Sequence, residues 1–268
     1  MERRSLPPGG ENSGITHNVR FGFVRRDFNC CTCFSNFGKL PLASAASVLD
    51  LGCGTGVVGR ALAKRETFSG RIVGVDLSPT FVSEGRRLAK DEHVDHRIEF
   101  QVGDVHALDY GDASFDIVIA RTLISHATEP LSVLKEAARV TRPGGAVAIF
   151  DGDYASWTFG YPEPSVAKAM DEALIATIVN NPRVRRDLPR LLRQAGLEIR
   201  ETMAHNYAEI GTGSFFPGAA EAYGGLILRS GLVPASQVES WLAEQRRSLE
   251  DGTYFAACNY YTYLAKRP

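Results

Sequence analysis

A glycine-rich segment carries the clearest chemical signal in the sequence. Residues 50–56 read Asp-Leu-Gly-Cys-Gly-Thr-Gly, and they lie where an apolar run gives way to a helical pattern. Glycines at such a junction let the backbone approach a ligand closely, and the N–H groups that open a helix attract negative charge. Gly54, Gly56 and Gly59 also spell G-x-G-x-x-G, the dinucleotide fingerprint, which alone is a weak signal.

Two acidic residues separate the possible ligands of this loop. Asp50 lies two residues before Gly52, where a carboxylate would repel a pyrophosphate but favour an ammonium group. Asp76 ends the next apolar run, 20 residues after Gly56, and a carboxylate there can accept hydrogen bonds from both ribose hydroxyls. The pair therefore favours a nucleoside that carries an amino-acid tail over a dinucleotide.

Short apolar runs alternate with helical patterns between residues 46 and 152. The predicted strands are Ser47–Leu51, Arg71–Asp76, Arg97–Val102, Phe115–Ala120 and Ala146–Phe150. Between them, helices are predicted at Val57–Lys64, from Pro79 to about Asp91 behind a Ser78 N-cap, and from Pro130 to a stop at residues 143–145. This alternation predicts a mostly parallel sheet with helices on both faces.

The pattern is looser after residue 152. Helices are predicted at Val166–Ile178, at Leu188–Ala195 and around Trp241, a sixth strand at Leu197 to about Ala204, and a last strand at Tyr254–Ala265. Residues 205–233 are rich in glycine and aromatic residues and give no clear element.

Five segments of the chain resemble, in order and spacing, the motifs of class I S-adenosylmethionine-dependent methyltransferases. They are residues 48–56, 74–78, 103–105, 114–119 and 142–145. The likeness is to the small-molecule type found in ubiquinone and menaquinone biosynthesis. It implies an α/β, Rossmann-like, doubly wound seven-stranded sheet with an antiparallel last strand, a helical substrate cap, and S-adenosylmethionine as cofactor.

The resemblance also implies a set of cofactor-binding residues. Asp76 would hold the ribose, Asp104 would meet the adenine amino group or serve as a turn cap, and Arg121 would contact a carboxylate at the methionine end or point to solvent. Asp116 is expected to be structural. The implied cofactor-binding residues are Asp50, Gly52, Gly54, Gly56, Asp76, Leu77, Asp104, Val105 and Arg121.

His126 is the candidate catalytic base, because the resemblance places its loop after the fourth strand, facing the acceptor. An imidazole there can take a phenol or enol proton near neutral pH. The alternative is that His126 caps or packs the loop, and His17 and His205 are weaker candidates. The Asn/Asp-Pro-Pro-Tyr/Phe motif of amino methylation is missing after the fourth strand, and residues 180–183 are a partial echo of it elsewhere.

No metal site is predicted. Asp151 and Asp153 resemble part of a catechol-type metal site, but Arg121 stands where a further oxygen ligand would be needed. A solvated or capping role is therefore expected, with contact to the substrate as the alternative. The cysteines at residues 30, 31 and 33 lack a second cluster. The arginines of residues 183–193 are expected on a solvated helix face, with an anionic acceptor or membrane surface as the alternative.

Composition narrows the partners. A formal net charge of −1 argues against bulk nucleic-acid binding, and no apolar run is long enough to span a membrane. The odd count of five cysteines and the absence of an apolar leader at the N-terminus favour the cytoplasm. Of the 25 aromatic residues, 19 lie outside residues 46–150, which favours an apolar or ring-bearing acceptor.

The sequence therefore predicts a methyltransferase that acts on a small, aromatic or apolar acceptor by O- or C-methylation. Residues 1–45 form an N-terminal tail and cap segment, 46–152 the cofactor-binding core, and 153–268 complete the sheet with a helical cap, all as one domain. The alternatives are a cyclase-like enzyme that uses the cofactor to position its substrate, a nicotinamide-dependent oxidoreductase, a non-enzymatic cofactor-binding subunit, and a macromolecular acceptor. The oligomeric state is open, with a homodimer among the options.

Overall fold

A seven-stranded sheet organises residues 39–268, the part of the chain that the computed structural model describes. Its strands are β1 (Ser47–Leu51), β2 (Arg71–Asp76), β3 (Ile98–Val102), β4 (Phe115–Arg121), β5 (Thr141–Phe159), β6 (Glu198–Gly211) and β7 (Tyr254–Lys266). They are arranged β3-β2-β1-β4-β5-β7-β6, and β7 runs antiparallel to both of its neighbours. The predicted Rossmann-like sheet with an antiparallel last strand is confirmed.

Most of the predicted N-terminal tail and cap segment lies outside the described residues. So do His17 and the cysteines at residues 30, 31 and 33. Of the predicted segment 1–45, only residues 39–45 are described, and they contain a short 3-10 helix at Leu42–Ser44.

Seven helices cover the two faces of the sheet within the described residues. They are α1 (Val57–Ala63), α2 (Pro79–Asp91), α3 (Pro130–Val140), α4 (Pro164–Ile178), α5 (Val184–Gln194), α6 (Phe216–Ser230) and α7 (Ala235–Asp251). Side chains of α3 and α5 share one buried cluster with Leu49 and Val118, whereas those of the other five helices share a second cluster with Val48 and Ile117. Because neighbouring strand residues point to opposite faces, the two clusters lie on opposite sides of the sheet.

The central strands show the burial that is typical of parallel strands. Val48–Leu51 of β1 and Ile117–Ala120 of β4 are at most 2% exposed, as expected for strands with helices packed on both faces. Ser78 opens α2 as predicted, because its Oγ accepts a hydrogen bond from Phe81 N at 3.3 Å and proline follows at the first helical position. Asp116, at the start of β4, accepts from the backbone of Ala46 at 2.6 Å, which supports its structural role.

Three differences from the sequence expectation concern the second half of the chain. β5 continues to Phe159 through an irregularity between Asp153 and Thr158, and β6 continues to Gly211, because both keep pairing with the long strand β7. Helix α6 forms in a stretch that gave no clear element. Its glycines weaken helix propensity, but a Cβ at Gly224 would lie 2.8 Å from Leu242 Cδ2, so glycine permits the close approach of α6 and α7.

None of the helices in the described part of the chain is both long and apolar enough to cross a bilayer. Helices α4, α6 and α7 pack on one another. Helix α4 follows the end of β5 at Phe159, and α6 and α7 follow the end of β6 at Gly211. Both strand ends lie at the edge of the sheet where the parallel strands end.

One buried carboxylate holds the start of α6. Glu209 accepts hydrogen bonds from the backbone N–H groups of Ser214 at 2.9 Å, Phe215 at 3.0 Å and Phe216 at 2.8 Å. Its Oε1 also accepts from the Tyr207 hydroxyl at 3.1 Å. A carboxylate at this position satisfies N–H groups that have no partner within the helix, and it interacts favourably with the helix dipole.

We predict that Glu209→Ala lowers the free energy of unfolding by about 2–4 kcal/mol, because it leaves buried N–H groups without an acceptor. The matched control is Glu198→Ala, which removes an exposed glutamate of the same strand paired with Arg200 and should change stability by less than about 0.5 kcal/mol. Urea denaturation of both variants measures the difference. Equal effects would contradict the capping role.

Candidate functional site at the carboxyl edge of the sheet

The glycine loop joins β1 to α1 through three left-handed backbone conformations. The φ angles are 60° at Gly52, 58° at Gly54 and 77° at Gly56. A Cβ on Gly52 would lie 2.6 Å from Leu123 Cδ1, and one on Gly56 would lie 2.3 Å from Phe100 Cε1, so both positions are closed to side chains. At Gly54, by contrast, a Cβ would meet no described atom within 4 Å. With respect to residues 39–268, Gly54 therefore faces open space at the centre of the loop.

Asp76 ties the end of β2 to this loop. Its Oδ2 accepts from Gly54 N at 2.8 Å, and its Oδ1 accepts from Ser78 N at 2.9 Å. The residue is only 3% exposed. Each carboxylate oxygen has a second lone pair, so Asp76 can accept further hydrogen bonds from a ligand.

Asp50 is a buried carboxylate at the end of β1. It is 2% exposed, and its Oδ2 has no well-aligned hydrogen-bond donor among residues 39–268. Burial raises the pKa of Asp50 to about 7, while the Gly59 N–H and the charge of Arg121 act in the opposite direction. A cation bound beside Asp50 would favour the ionised carboxylate, so the site fits a ligand with an ammonium group.

Apolar side chains lie beside Asp76. Leu77 is 62% exposed and Val102 is 52% exposed, whereas Val105 is buried. Val102 pairs in register with Asp76, which brings it to the same edge. Leu77 and Val105 are predicted site residues. Val102 was missed, although its position at the end of the third strand could have indicated it.

Asp104 combines a turn cap with an exposed carboxylate. Its Oδ1 accepts from His106 N at 2.9 Å and lies 2.7 Å from His106 Nδ1, and these two contacts lower the pKa of Asp104. On its other side, His106 Nε2 lies 3.3 Å from Thr128 Oγ1. His106 therefore connects the loop after β3 with the loop after β4, a contact that the spacing of Asp104 and His106 alone does not reveal.

Arg121 ends β4 and lies close to the glycine loop. The centre of its guanidinium is 5.9 Å from the centroid of the Phe150 ring, and its charge lowers the pKa of Asp50. The side chain is half-buried. Thr122, the next residue, has a φ of 48°, which is strained for a residue with a branched Cβ. Of the two orientations left open by the sequence, the one towards the site agrees with these contacts.

His126 lies in the loop that follows β4. Its ring packs edge-on against Tyr154, with the ring centroids 6.0 Å apart, and Tyr154 in turn stacks on Trp157 at 5.7 Å. His205 lies in β6, in register with Tyr260, three strands away from β4. The geometry therefore brings His126, rather than His205, to the edge that carries the glycine loop.

Of the two roles expected for Asp151, solvated or capping, its hydrogen bonds agree with capping and its burial rules out solvation. Asp151 is fully buried and accepts from Ser125 N at 2.9 Å and Ser125 Oγ at 2.8 Å. It also forms a buried ion pair with Arg185, so this arginine does not belong to a solvated helix face. Asp153 pairs with Arg186 at 2.9 Å. In the described chain, no group of three or more acidic, histidine or cysteine side chains is placed to hold a metal ion.

The aromatic residues that follow residue 150 divide between the buried core and its margin. Tyr154, Trp157, Phe159 and Phe216 are buried. Phe215, Tyr207 and Tyr223 are half-buried and pack against them. The aromatic residues at positions 21, 23, 28, 34 and 37, which belong to the same set of 19 outside residues 46–150, lie outside the described residues.

All nine predicted cofactor-binding residues lie at or just beyond the carboxyl ends of β1, β2, β3 and β4. Asp50 is on β1 with the three glycines after it, Asp76 and Leu77 end β2, Asp104 and Val105 follow β3, and Arg121 ends β4. Ligands of doubly wound sheets bind at this edge.

Curated relatives share part of this sequence. A protein of 37.1 kDa in transposon TN4556 of Streptomyces fradiae is 32% identical over 228 residues, which are 82% of this chain and 62% of that protein. The 27-O-demethylrifamycin SV methyltransferase of Amycolatopsis mediterranei is 36% identical over 42% of this chain and 41% of its own. A demethylmenaquinone methyltransferase of Lactobacillus johnsonii is 34% identical over 43% of this chain and 47% of its own. The chain thus spans less than two thirds of each of these relatives.

Solved structures share the fold. The [4+2]-cyclase SpnF superposes with a TM-score of 0.58 at 19% identity, covering 89% of this chain and 81% of that one. Geranyl diphosphate C-methyltransferase from Streptomyces coelicolor A3(2), in complex with S-adenosyl-L-homocysteine, Mg²⁺ and geranyl-S-thiolodiphosphate, gives a TM-score of 0.56 at 18% identity, with 88% and 76% covered.

A family model described as a methyltransferase domain matches residues 42–210, which is more than half of the chain. The matched region holds the glycine loop, the four strands that position it and the loop of His126. The chain therefore belongs to the methyltransferase-domain family.

Proposed function

We propose that this protein transfers a methyl group from S-adenosylmethionine to a small acceptor of aromatic or apolar character, at oxygen or carbon. The observation that carries the proposal is the buried, incompletely hydrogen-bonded carboxylate of Asp50 beside the open face of Gly54. That arrangement suits an ammonium group and disfavours a pyrophosphate. Family membership and a neighbour that holds S-adenosylhomocysteine support the same cofactor.

Six side chains of the site have a role in this proposal. Asp76 accepts hydrogen bonds from the ribose hydroxyls, and Leu77 and Val102 offer apolar surface to the adenine. Asp104 presents an exposed carboxylate to the adenine amino group. Arg121 neutralises the carboxylate of the methionine end, while Asp50 receives its ammonium group.

When bound, S-adenosylmethionine supplies an activated methyl group on a sulfonium. The remaining task of the protein is to hold the acceptor in line with that methyl group and to exclude water. His126 accepts the acceptor proton if the nucleophile is a phenol or an enol. Tyr154 packs against the imidazole and restricts its orientation.

The acceptor is proposed to bind against the aromatic side chains next to His126. Tyr154, Phe215 and Tyr223 surround Trp157, with centroid distances of 5.7, 6.2 and 5.4 Å. Residues 153–268 complete the sheet and supply helices α4, α6 and α7 as the cover of this region. The rifamycin and menaquinone relatives are named for different acceptors, which supports a small molecule without selecting one.

A cyclase-like enzyme is the second candidate, favoured by the structural likeness to SpnF. In that case bound S-adenosylmethionine would position the substrate and would not be consumed. Conversion of an acceptor without formation of S-adenosylhomocysteine distinguishes this candidate from methyl transfer.

We predict that Asp76→Ala weakens the binding of S-adenosylhomocysteine by about 100-fold, because the ribose hydroxyls lose their acceptor and Gly54 N loses its partner. Isothermal titration calorimetry measures the affinity. The control is Asp91→Ala, an exposed aspartate at the end of α2 that should bind like the wild type. Unchanged affinity in Asp76→Ala would remove the ribose assignment.

We also predict that binding of S-adenosylhomocysteine at pH 6 releases about one proton, and that the release disappears by about pH 8. Without ligand, Asp50 is largely protonated below its pKa of about 7, and an ammonium group nearby favours the ionised form. Calorimetry in buffers of different ionisation enthalpy counts the protons. Asp50→Asn, which cannot ionise, is the control, and an equal release in this variant would contradict the assignment.

His126→Gln should lower kcat for a phenol or hydroquinone acceptor by about 100-fold or more and leave the affinity for S-adenosylhomocysteine unchanged. Formation of S-adenosylhomocysteine from S-adenosylmethionine measures the rate across a panel of such acceptors. The matched control is His205→Gln in β6, which should retain activity. A His126 variant with the wild-type kcat would leave the loop without a catalytic base.

A further inference from the structure

Three consecutive backbone carbonyls of the His126 loop, those of residues 125–127, accept hydrogen bonds from one segment outside the loop. The carbonyl of Ser125 accepts from Asn181 N at 2.9 Å. The carbonyl of His126 accepts from Asn180 Nδ2 at 2.7 Å, and that of Ala127 accepts from Asn181 Nδ2 at 2.6 Å. Two consecutive asparagines, between α4 and α5, therefore bind three consecutive carbonyls.

The opposite side of the loop is held from the same region of the chain. Ser125 N and Ser125 Oγ donate to the two oxygens of Asp151, and Asp151 is paired in the interior with Arg185 of α5. Arg185 lies four residues after Asn181. The hydrogen bonds to the carbonyls and the buried ion pair together hold the backbone of the loop in place against β5 and α5.

The asparagine segment also contacts the strand on which the His126 ring packs. The carbonyl of Pro182 accepts from Ala155 N at 3.2 Å, and Ala155 follows Tyr154, whose ring meets the imidazole. Residues 180–182 thus hydrogen-bond both to the backbone of His126 and to the strand residue that follows Tyr154, whose ring packs on the imidazole.

We infer that Asn180 and Asn181 are positioning residues that hold the His126 imidazole in place for proton transfer. This inference rests on the proposed function, in which His126 is the base. Misplacement of a reacting group by about 1 Å can reduce a rate by about 100-fold, so a loop fixed at three carbonyls has a direct kinetic consequence. Asparagine suits the task, because its short side chain offers an amide donor that stays uncharged at any pH.

The structure gives residues 180–183 a role different from the one their sequence pattern suggests. It looks like a displaced fragment of an amino-methylation motif, in which the asparagine would face the reacting nitrogen. In the structure, the side chains of Asn180 and Asn181 instead donate to the backbone of the loop, away from a direct role on the acceptor.

The test compares Asn180→Ala, Asn181→Ala and the double variant with Asn206→Ala. Asn206 is a matched control, since its Nδ2 also donates one hydrogen bond, to Asn259 Oδ1 at 3.0 Å in the β6–β7 pair. Asn180 is exposed, so its variant keeps the test available if loss of Asn181 impairs folding. Calorimetry with S-adenosylhomocysteine should give affinities within about 2-fold of wild type in all variants.

Nuclear magnetic resonance of the histidine Cε1–H signals reads the position of the imidazole without any acceptor. The signal of His126 should shift or broaden in Asn180→Ala and Asn181→Ala, while that of His205 stays in place, and Asn206→Ala should leave the His126 signal in place. An unchanged His126 signal in the double variant overturns the inference. A wild type that does not bind S-adenosylhomocysteine would instead overturn the proposed function. The histidine signals would still show whether Asn180 and Asn181 position the His126 imidazole.

Turnover of the panel acceptor that the wild type methylates fastest completes the test. The double asparagine variant should lose about 10-fold or more in kcat, yet the same two substitutions should change the rate by less than about 2-fold when His126 is already glutamine. Additive losses in the two backgrounds would show that the asparagines act independently of His126, which contradicts the inference.

Discussion

The buried carboxylate of Asp50 is the constraint on which the rest of the site depends. Removing an ionised group from water is unfavourable unless a partner compensates, and Asp50 is only partly compensated by the Gly59 N–H and by Arg121. The fold places this group near the end of a central strand whose last four residues are buried, where it cannot reach bulk solvent. A ligand that brings a positive charge to this position stabilises the ionised, buried carboxylate of Asp50. Recognition of the ligand therefore depends on a charge that the central strand of the sheet holds in place.

The elements around Asp50 are arranged so that space remains for that ligand. Left-handed glycines turn the chain from β1 into α1, and Asp76 fixes the turn through Gly54 N. On the other side, the loop of His126 is held against β5 and α5 through Asp151 and the asparagine segment. The part that would bind the cofactor and the part that would face the acceptor are therefore held by separate hydrogen-bond networks, with His106 between them.

The strands around the glycine loop could be predicted from the sequence, because local signals agree there. Continuous apolar runs, a proline behind the Ser78 cap and glycines at strand ends all indicate the same elements, and these elements carry the nine predicted cofactor residues. The lengths of β5 and β6 could not be predicted, since they depend on pairing with residues of β7 that lie 43 to 120 positions away along the chain. Helix α6 was missed because Glu209 and the contact at Gly224 override a weak local propensity. Arg185 was placed on a solvated face because its buried partner, Asp151, is distant in sequence.

A crystal structure with S-adenosylhomocysteine tests the central claim most directly. We expect the ligand to lie along the carboxyl ends of β1 and β2, with its ammonium group hydrogen-bonded to Asp50 directly or through one water, its ribose on Asp76 and its adenine against Leu77 and Val102. A ligand bound elsewhere, or one whose ammonium group points away from Asp50, would contradict that claim.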